Sequence, residues 1–155
     1  MKKIQLTRGK YAIVDNKYYK KISQLNWHYH SMGYACYHSR INKKYYMVLM
    51  HRLIMNTPQG MDTDHINGNG LDNRQSNLRI CTHSQNHMNQ RLSSKNTSGF
   101  KGVTWKKDSN KWKAYIKIYK KQIHLGHFKN KIDAAKAYNQ KAVELFGEFA
   151  WLNKI

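Results

Sequence analysis

One short stretch of the sequence, residues 61–88, concentrates side chains that can bind a metal ion and move a proton. It reads M-D-T-D-H-I-N-G-N-G-L-D-N-R-Q-S-N-L-R-I-C-T-H-S-Q-N-H-M. Asp64 and His65 are adjacent, and a Gly/Asn-rich loop separates them from Asn77 and Asn86. A carboxylate and a neutral oxygen or nitrogen ligand can hold one divalent cation, and the imidazole is then left to deprotonate water. These residue types therefore suit metal-assisted hydrolysis of a phosphodiester.

Composition alone also fits an ordinary turn, because Asn, Asp and Gly tolerate positive φ and are common in plain hairpin loops. The spacing favours the chemical interpretation. His65, Asn77 and Asn86 stand twelve and nine residues apart, after an H-R-L-I segment that begins at His51. With this spacing, the D-H-I-N-G-N…N-R…N-L-R core resembles the HNH nucleases, particularly the phage-type HNH homing endonucleases, over most of residues 1–92.

The resemblance implies a ββα-metal site: a strand that ends at Asp64-His65, a second strand near Leu78–Cys81, and a helix from about Ser84. It also implies a role for each polar residue. His65 is the general base, Asp64 and Asn86 hold one divalent metal ion (Mg²⁺, with Mn²⁺ as the alternative), and Asn77 ties the loop together through backbone hydrogen bonds. Many HNH enzymes have His as the last ligand, so either Asn86 or the adjacent His87 can face the metal.

His51 and Arg52 precede the site in the family's order, and we expect them to be its neighbours. Arg52 is placed near phosphate by the resemblance, although a solvated helix face explains it almost as well. The two cysteines, Cys36 and Cys81, form no C-x-x-C pair. This argues against a zinc site and predicts that each is a small buried hydrophobic residue.

The net charge predicts a polyanionic partner. The 155 residues include 28 Lys and Arg against 8 acidic residues, a formal net charge of +20. Residues 1–92 and 93–155 each carry 14 basic and 4 acidic residues, so both parts are expected to bind nucleic acid. A membrane surface could use the same charge, but no apolar run approaches the ~20 residues that span a bilayer and no signal peptide is evident. We therefore expect a cytoplasmic protein, in the host cell cytoplasm if a phage encodes it.

The elements around the site are predicted from alternation and turn residues. Residues 2–50 are expected to form a β-meander with a turn at 15–17 and a hairpin around Arg40–Lys44. In the family such a region supports the metal site and lies along DNA. Met50–Met55 is expected to be a short helix, and Gln85–Leu92 the helix that delivers Asn86.

A polar linker, residues 93–98, is expected to separate a second module of three strands and one helix. Lys111–Tyr119 alternates between an apolar face and a face of Lys and Tyr, which is typical of a half-buried strand. Gln122–Phe128 is expected to be the next strand, with Ile123 and Leu125 inward and Gln122, His124 and Gly126 outward. Asn130 and Asp133 predict a capped helix that Gly147 ends, with an apolar stripe of Ile132, Ala135, Tyr138, Ala142 and Leu145.

Over residues 98–153 the sequence resembles the AP2/ERF DNA-binding domain. The resemblance rests on four short motifs in order: G-F-K-G-V-T-W, K-W-K-A-Y-I, H-L-G-H-F and A-A-K-A-Y-N. That family reads the major groove with a three-stranded sheet. With the outward residues of the alternating strand included, the DNA-contacting positions are Lys101, Gly102, Thr104, Lys106, Lys113, Tyr115, Lys117, Gln122, His124, His127 and Tyr138. Several of these positions are Lys where the plant domains use Arg, and Lys cannot form the bidentate hydrogen bonds with guanine that Arg forms. Phosphate contact is therefore the expected role.

Taken together, the sequence predicts an α+β protein with an HNH domain at 1–92, a linker at 93–98 and an AP2/ERF-like domain at 99–155. The predicted function is a metal-dependent DNA endonuclease of the homing type that nicks double-stranded DNA as a monomer. One alternative is a non-catalytic, sequence-specific DNA-binding regulator that keeps the HNH fold as a scaffold. Another is an RNA-binding or ribosome-associated protein, which the charge and size alone suggest.

Overall fold

Small antiparallel sheets and a few helices make up the described part of the chain, which confirms the predicted mixture of α and β structure. The computed structural model describes residues 1–119 and 121–155. The described residues divide into two compact units, 1–86 and 87–155. No helix within them is both long and apolar enough to cross a membrane.

The first unit contains three small sheets and the elements that join them. Strand β1 (Lys2–Gln5) pairs with β2 (Tyr11–Val14), and β3 (His28–Tyr29), β4 (Ala35–Ile41) and β5 (Lys44–Leu49) form a second sheet in that order. The third sheet pairs β6 (Asp62–His65) with β7 (Leu78–Cys81). The helices are α1 (Asn16–Ile22), α2 (Met50–Met55) and α3 (His83–Met88), and the division between the two units falls inside α3.

The predicted β-meander of residues 2–50 is wrong at α1, which is a helix rather than a turn followed by strand. Ile22 is fully buried, and Tyr18 and Tyr19 pack against the same hydrophobic core. These positions recur at helical spacing, so one face of α1 covers the core. Asp15 precedes the helix, but its carboxylate accepts a hydrogen bond from the backbone N–H of Gln75 instead of capping α1.

The hairpin predicted around Arg40–Lys44 and the helix predicted at Met50–Met55 are both confirmed. Asn42 and Lys43 have positive φ, as a tight two-residue hairpin turn requires. Residues 40–47, which we call the hairpin arm, are exposed on both faces. Cys36 and Cys81 are both completely buried, as expected.

The ββα arrangement is also confirmed, because β6 and β7 pair in antiparallel register and α3 follows directly. Helix α3 begins close to the predicted residue but ends at Met88, short of the predicted Leu92. The Lys101 ammonium donates hydrogen bonds to the backbone carbonyls of Met88 and Gln90. In a longer helix, backbone N–H groups of a further turn would donate to these carbonyls, and here the Lys101 ammonium donates instead.

The second unit has three antiparallel strands, β8 (Val103–Lys106), β9 (Lys111–Ile118) and β10 (Lys121–Phe128), in the order β10-β9-β8, and one long helix, α4 (Lys131–Phe146). The alternation predicted for β9 is confirmed, since Ala114 and Ile116 are buried and Lys117 is exposed. The helix cap is confirmed too. The Asn130 side chain accepts a hydrogen bond from the Asp133 N–H, and Gly147 ends α4 with positive φ.

Two details of this unit differ from the prediction. A β-bulge lies between His124 and Gly126, so Gly126 pairs with the buried Ala114 and faces inward rather than outward. A bulge adds one residue and shifts the alternation that follows it. In α4, Ile132 is exposed instead of lying on the apolar stripe, because the first turn of the helix extends past the edge of the core.

Candidate functional site

The loop between β6 and β7 is held by the carboxamide of Asn77, as the resemblance implied. Its Oδ1 accepts a hydrogen bond from the Asn67 N–H (3.0 Å), and its Nδ2 donates to the Asp72 carbonyl (2.8 Å) and to Asn67 Oδ1 (3.0 Å). Asn77 is almost completely buried. One side chain therefore closes the Gly/Asn-rich loop from inside and sets the direction in which the chain leaves β6.

The His65 ring lies at the end of β6, buried among three side chains that surround it. Asn73 Oδ1 is 3.4 Å from His65 Nε2, the Tyr34 ring stacks at 5.8 Å between centroids, and the His51 ring meets it edge to face at 4.9 Å. Burial lowers the pKa of His65, against the opposing effects of the Asn73 hydrogen bond and the Asp64 and Asp72 carboxylates. The imidazole is therefore neutral near pH 7, the form that can accept a proton.

His51, predicted as a neighbour of the site, lies directly against His65. Burial lowers the pKa of His51 to about 3, with the nearby His65 adding to the effect. Its Nδ1 is buried without a hydrogen-bond partner among the described residues, and the same holds for Nδ2 of Asn73. Such unpaired buried polar atoms are costly and concentrate at functional sites.

Arg52, the other predicted neighbour, is close enough for its charge to contribute to the lowered pKa of both His51 and Asp62. Its guanidinium donates hydrogen bonds to the backbone carbonyls of Met61 (2.7 Å), Pro58 (3.2 Å) and Thr57 (3.5 Å). These bonds close the loop between α2 and β6. Arg52 therefore has a structural role, because its guanidinium donates hydrogen bonds to carbonyls that the loop would otherwise leave unpaired.

The acidic side of the site lies on the face of β6 opposite to His65, because side chains alternate along a strand. Asp64 is buried and paired with Arg79 on β7, whose Nε and Nη2 both donate to its Oδ2 (2.8 and 2.7 Å). Two residues earlier, Asp62 Oδ2 accepts a hydrogen bond from Asn86 Nδ2 (3.0 Å) and lies 3.0 Å from His83 Nδ1. The hydrogen bond from Asn86 is the main reason that the pKa of Asp62 is lowered.

Helix α3 thus turns Asn86 toward the acidic face of β6, and His87 Nδ1 lies 2.6 Å from the side-chain amide nitrogen of Gln90. Within residues 1–119 and 121–155, no group of three or more His, Cys, Asp and Glu side chains converges as a metal cluster. The oxygen donors on this side of the site are the carboxylates of Asp62 and Asp64 and the carboxamide of Asn86, and the His83 imidazole lies beside Asp62. This donor set fits Mg²⁺ or Mn²⁺, which bind through one or two carboxylates and retain several waters.

Sequence reasoning missed Tyr34, Asn73, Arg79 and Asp62 as parts of the site. The period of two along β6 could have placed Asp62 on the same face as Asp64. Asn73 and Arg79 belong to the N-R and N-L-R motifs of the HNH-like segment, so the sequence did contain a signal for them. Tyr34 carries no such signal. It is thirty-one residues before His65 in the chain, and only the packed structure brings the two rings together.

In the second unit, most of the predicted DNA-contacting side chains share the outer face of the sheet. The register aligns Thr104, Lys113 and His127 across the three strands. The positions that are exposed or half-buried on this face are Thr104, Lys106, Lys113, Tyr115, Lys117, Gln122, His124 and His127. Together they form a surface that is basic and partly aromatic, which we call the sheet face.

Three of the predicted contacts do not belong to the sheet face. Lys101 is half-buried, its ammonium is bound to backbone carbonyls, and burial lowers its pKa to about 8. Tyr138 is 2% exposed and lies in the core beneath the sheet. A Cβ at Gly102 would stand 2.1 Å from the Tyr138 ring and 2.4 Å from the Tyr115 carbonyl oxygen, so this glycine allows the close approach of strand and helix. All three residues hold the unit together.

Comparison with known proteins agrees with the geometry of residues 61–88. A family model described as HNH endonuclease matches residues 48–88. The chain is 33% identical over 152 residues to an uncharacterized HNH endonuclease of Acanthamoeba polyphaga mimivirus, covering 96% of this chain and 77% of that protein. It is 32% identical over 93 residues to Protein 3.8 of Escherichia phage T7, covering 60% of this chain and 76% of that protein. No solved structure gives a significant match.

The match extends well beyond the short motif, because the mimivirus relative aligns with almost the whole chain. The matched residues include α2, both strands of the ββα unit and α3. The spacing of His65, Asn77 and Asn86, the pairing of β6 with β7 and these relatives lead to one conclusion. The chain belongs to the HNH endonuclease family.

Proposed function

We propose that this protein is a site-specific DNA endonuclease of the HNH homing type that hydrolyses a phosphodiester with His65 as general base. The observation that carries the proposal is the environment of His65, a buried neutral imidazole held by Asn73, Tyr34 and His51 at the end of the strand that also carries Asp64. A neutral, fixed imidazole is ready to take a proton from a water that attacks phosphorus. The buried face of β6 opposite to it supplies carboxylates.

A divalent cation, Mg²⁺ or Mn²⁺, is the proposed cofactor, and Asp64 and Asn86 are its proposed ligands. Such an ion, when bound, neutralises charge that develops on the phosphate and helps the leaving oxygen depart. Asp62 hydrogen-bonds to Asn86 and thereby orients the carboxamide at this position. Arg79 neutralises the Asp64 carboxylate within the protein.

Two basic surfaces support double-stranded DNA as the partner. The hairpin arm, residues 40–47, contains Arg40, Lys43 and Lys44, and no acidic residue occurs between residues 33 and 61. Tyr45 is 70% exposed and the Arg40 guanidinium lies 5.6 Å from its ring centroid. The sheet face of the second unit adds further cations. Basic side chains that replace condensed counterions make binding strong and steeply dependent on salt.

We propose that residues 99–155 act as a DNA-binding domain of AP2/ERF-like design, with residues 93–98 as the linker to the HNH domain. The sheet face has the cation and aromatic pattern that a groove-binding sheet needs. One catalytic site per chain is consistent with a monomer that nicks one strand. The phage and virus relatives agree with a mobile-element or phage origin and with action in the host cytoplasm.

The test is cleavage of supercoiled plasmid in the presence of Mg²⁺, beside an EDTA control. The wild type and a matched His30→Ala control should give open-circle product, whereas His65→Ala should give none. Sequencing of the nicked ends then gives the target. Tight duplex binding without cleavage of any DNA in a panel that includes host genomic DNA would identify a DNA-binding regulator instead. Preference for structured RNA would contradict the proposal altogether.

A further inference from the structure

We propose that His124 and His127 form a phosphate-binding site on the sheet face, and that this site takes up a proton when the backbone of duplex DNA occupies it. The inference rests on the DNA-binding role proposed above and adds a proton to that binding step. Both imidazoles are exposed, and their ring centroids are 4.7 Å apart. Rings at this separation can donate to oxygens of the same phosphate once they are protonated.

The β-bulge in β10 puts both rings on one face of the sheet. Side chains alternate along a regular strand, so residues three apart would point to opposite faces. The register shifts between His124 and Gly126, so that His124 pairs with Tyr115 and His127 pairs with Lys113. Tyr115 and Lys113 are two residues apart on β9 and share the sheet face, so their partners share it too. The extra residue in β10 therefore brings the two histidines together.

The surroundings of the pair are cationic. The strands β8, β9 and β10 contain no acidic residue. Asp108, in the connection between β8 and β9, is bound to Lys106 (2.8 Å). The other charged or titratable side chains that share the sheet face with the pair are Lys106, Lys111, Lys113, Tyr115 and Lys117. Two neighbouring imidazoles can also bind a transition-metal ion, but these lysines disfavour a cation and favour an anion.

The same neighbours keep the free site neutral. Partial desolvation lowers the pKa of His127, and the His124 ring and the ammonium groups of Lys113, Lys106 and Lys111 lower it further. The free ring is therefore mostly neutral at pH 7. A phosphate beside the ring favours the charged form, and by reciprocity the charged ring binds the phosphate more tightly. A lysine in this place would stay charged across the same pH range and take up no proton.

Duplex binding should therefore strengthen as the pH falls. The gain in affinity is complete below the pKa of the free His127 ring, and it is lost as the pH rises through the higher pKa of the ring in the complex. Fluorescence-anisotropy titrations of the full-length protein with a labelled duplex measure this at constant ionic strength, in EDTA and without phosphate buffer. We expect Kd to be about tenfold lower at pH 6 than at pH 8. EDTA prevents metal-dependent cleavage and keeps metal ions off the two imidazoles.

Proton uptake can also be measured directly. Calorimetric titrations with the duplex in two buffers of different ionisation enthalpy give the number of protons bound, and we expect net uptake at pH 6.5. NMR titration of the His127 ring gives its pKa in the free protein and in the complex. That pKa should be higher in the complex.

The chain contains nine histidines, so the effect must be assigned with matched variants. His124→Gln/His127→Gln changes two exposed side chains and should bind at pH 6 about as weakly as the wild type binds at pH 8. His127→Lys keeps a cation at every pH tested and should bind with little dependence on pH. The control is His28→Gln/His38→Gln in the first unit, where the two rings stack at 4.9 Å. It should keep the wild-type pH dependence.

The same pH dependence in the wild type and in His124→Gln/His127→Gln would overturn the proposal, and so would its loss in the control variant. Tighter binding of a structured RNA than of the duplex would overturn the assignment to DNA. If the wild type nicks plasmid DNA with Mg²⁺ but binds the duplex equally well at pH 6 and pH 8, the hydrolytic function stands and this site is wrong. If duplex binding takes up a proton through the pair but no DNA is cut, the site stands and the hydrolytic function is wrong.

Discussion

The buried ion pair between Asp64 and Arg79 leads to a prediction whose size follows from the structure. The Arg79 and Asp64 side chains are 12% and 6% exposed, and two hydrogen bonds of 2.8 and 2.7 Å join them. In Arg79→Met the apolar stem is retained and the charge is lost, so the carboxylate stays buried without its cation. Breaking a buried pair in this way costs ~3–5 kcal/mol.

For a unit of about 60–100 residues, each kcal/mol corresponds to roughly 4–8 °C in Tm, so Arg79→Met should lower Tm by more than ~10 °C. The double variant Asp64→Asn/Arg79→Met removes both charges and should regain most of the stability, because no buried charge remains unpaired. Lys106→Met is the matched control. Its partner Asp108 is 79% exposed, so the change should be ~1 kcal/mol or less.

The assay is urea unfolding of the full chain, with hydrogen exchange measured by mass spectrometry on peptides from residues 1–86, so that the loss is assigned to the correct unit. Calorimetric titration with Mn²⁺ adds a second readout. Arg79→Met should bind the ion more tightly than the wild type, since the guanidinium no longer competes for the Asp64 carboxylate, and Asp64→Asn should bind it weakly. A double variant as unstable as Arg79→Met, or a loss below ~1 kcal/mol in the single variant, would refute the reasoning.

Three further predictions concern other parts of the chain. A Cβ at Gly70 would lie 2.5 Å from the Gly33 carbonyl oxygen and 2.7 Å from the Tyr34 ring. Gly70→Ala should therefore displace the Tyr34 ring, which stacks on His65, and lower the rate of plasmid nicking. An unchanged rate would contradict a role for the contact between Tyr34 and His65. The pKa of His51 is lowered from 6.5 to about 3, so below pH 6.5 the unfolded chain binds a proton that the folded chain does not. The contribution of His51 to the free energy of unfolding is therefore largest above pH 6.5, and it should fall as the pH decreases toward 3, by at most ~1.4 kcal/mol per pH unit. Equilibrium unfolding in urea at several pH values would measure this dependence. His51→Phe should make the free energy of unfolding depend less on pH over this range. Lys113→Gln on the sheet face should weaken binding to all DNA duplexes alike and reduce the slope of log K against log salt concentration by about one. Fluorescence-anisotropy titrations would measure both quantities. An unchanged affinity and an unchanged slope would show that Lys113 does not contact DNA.

Local patterns in the sequence were sufficient for much of the fold. The strand–loop–strand–helix order of residues 62–88 was implied by the resemblance to the HNH nucleases, and the alternation of β9 follows from period two. The Asn130 cap depends on contacts three residues apart, and for this reason it was predictable. Helix α1 was missed because its apolar positions gain their meaning only from the core that they cover.

The residue types and spacing also led to the proposal that His65, Asp64, Asn77 and Asn86 carry the chemistry, and the composition alone gives the large positive charge. The tertiary structure alone decided what surrounds them. Packing of β4 and α2 brings Tyr34 and His51 to the His65 ring, and the register of β6 with β7 sets Arg79 opposite Asp64. Within the second unit, Tyr138 packs into the core and Lys101 is bound to backbone carbonyls, so neither side chain lies on the sheet face. Such contacts join residues that are far apart in the chain, so they depend on how the elements pack and not on any local pattern.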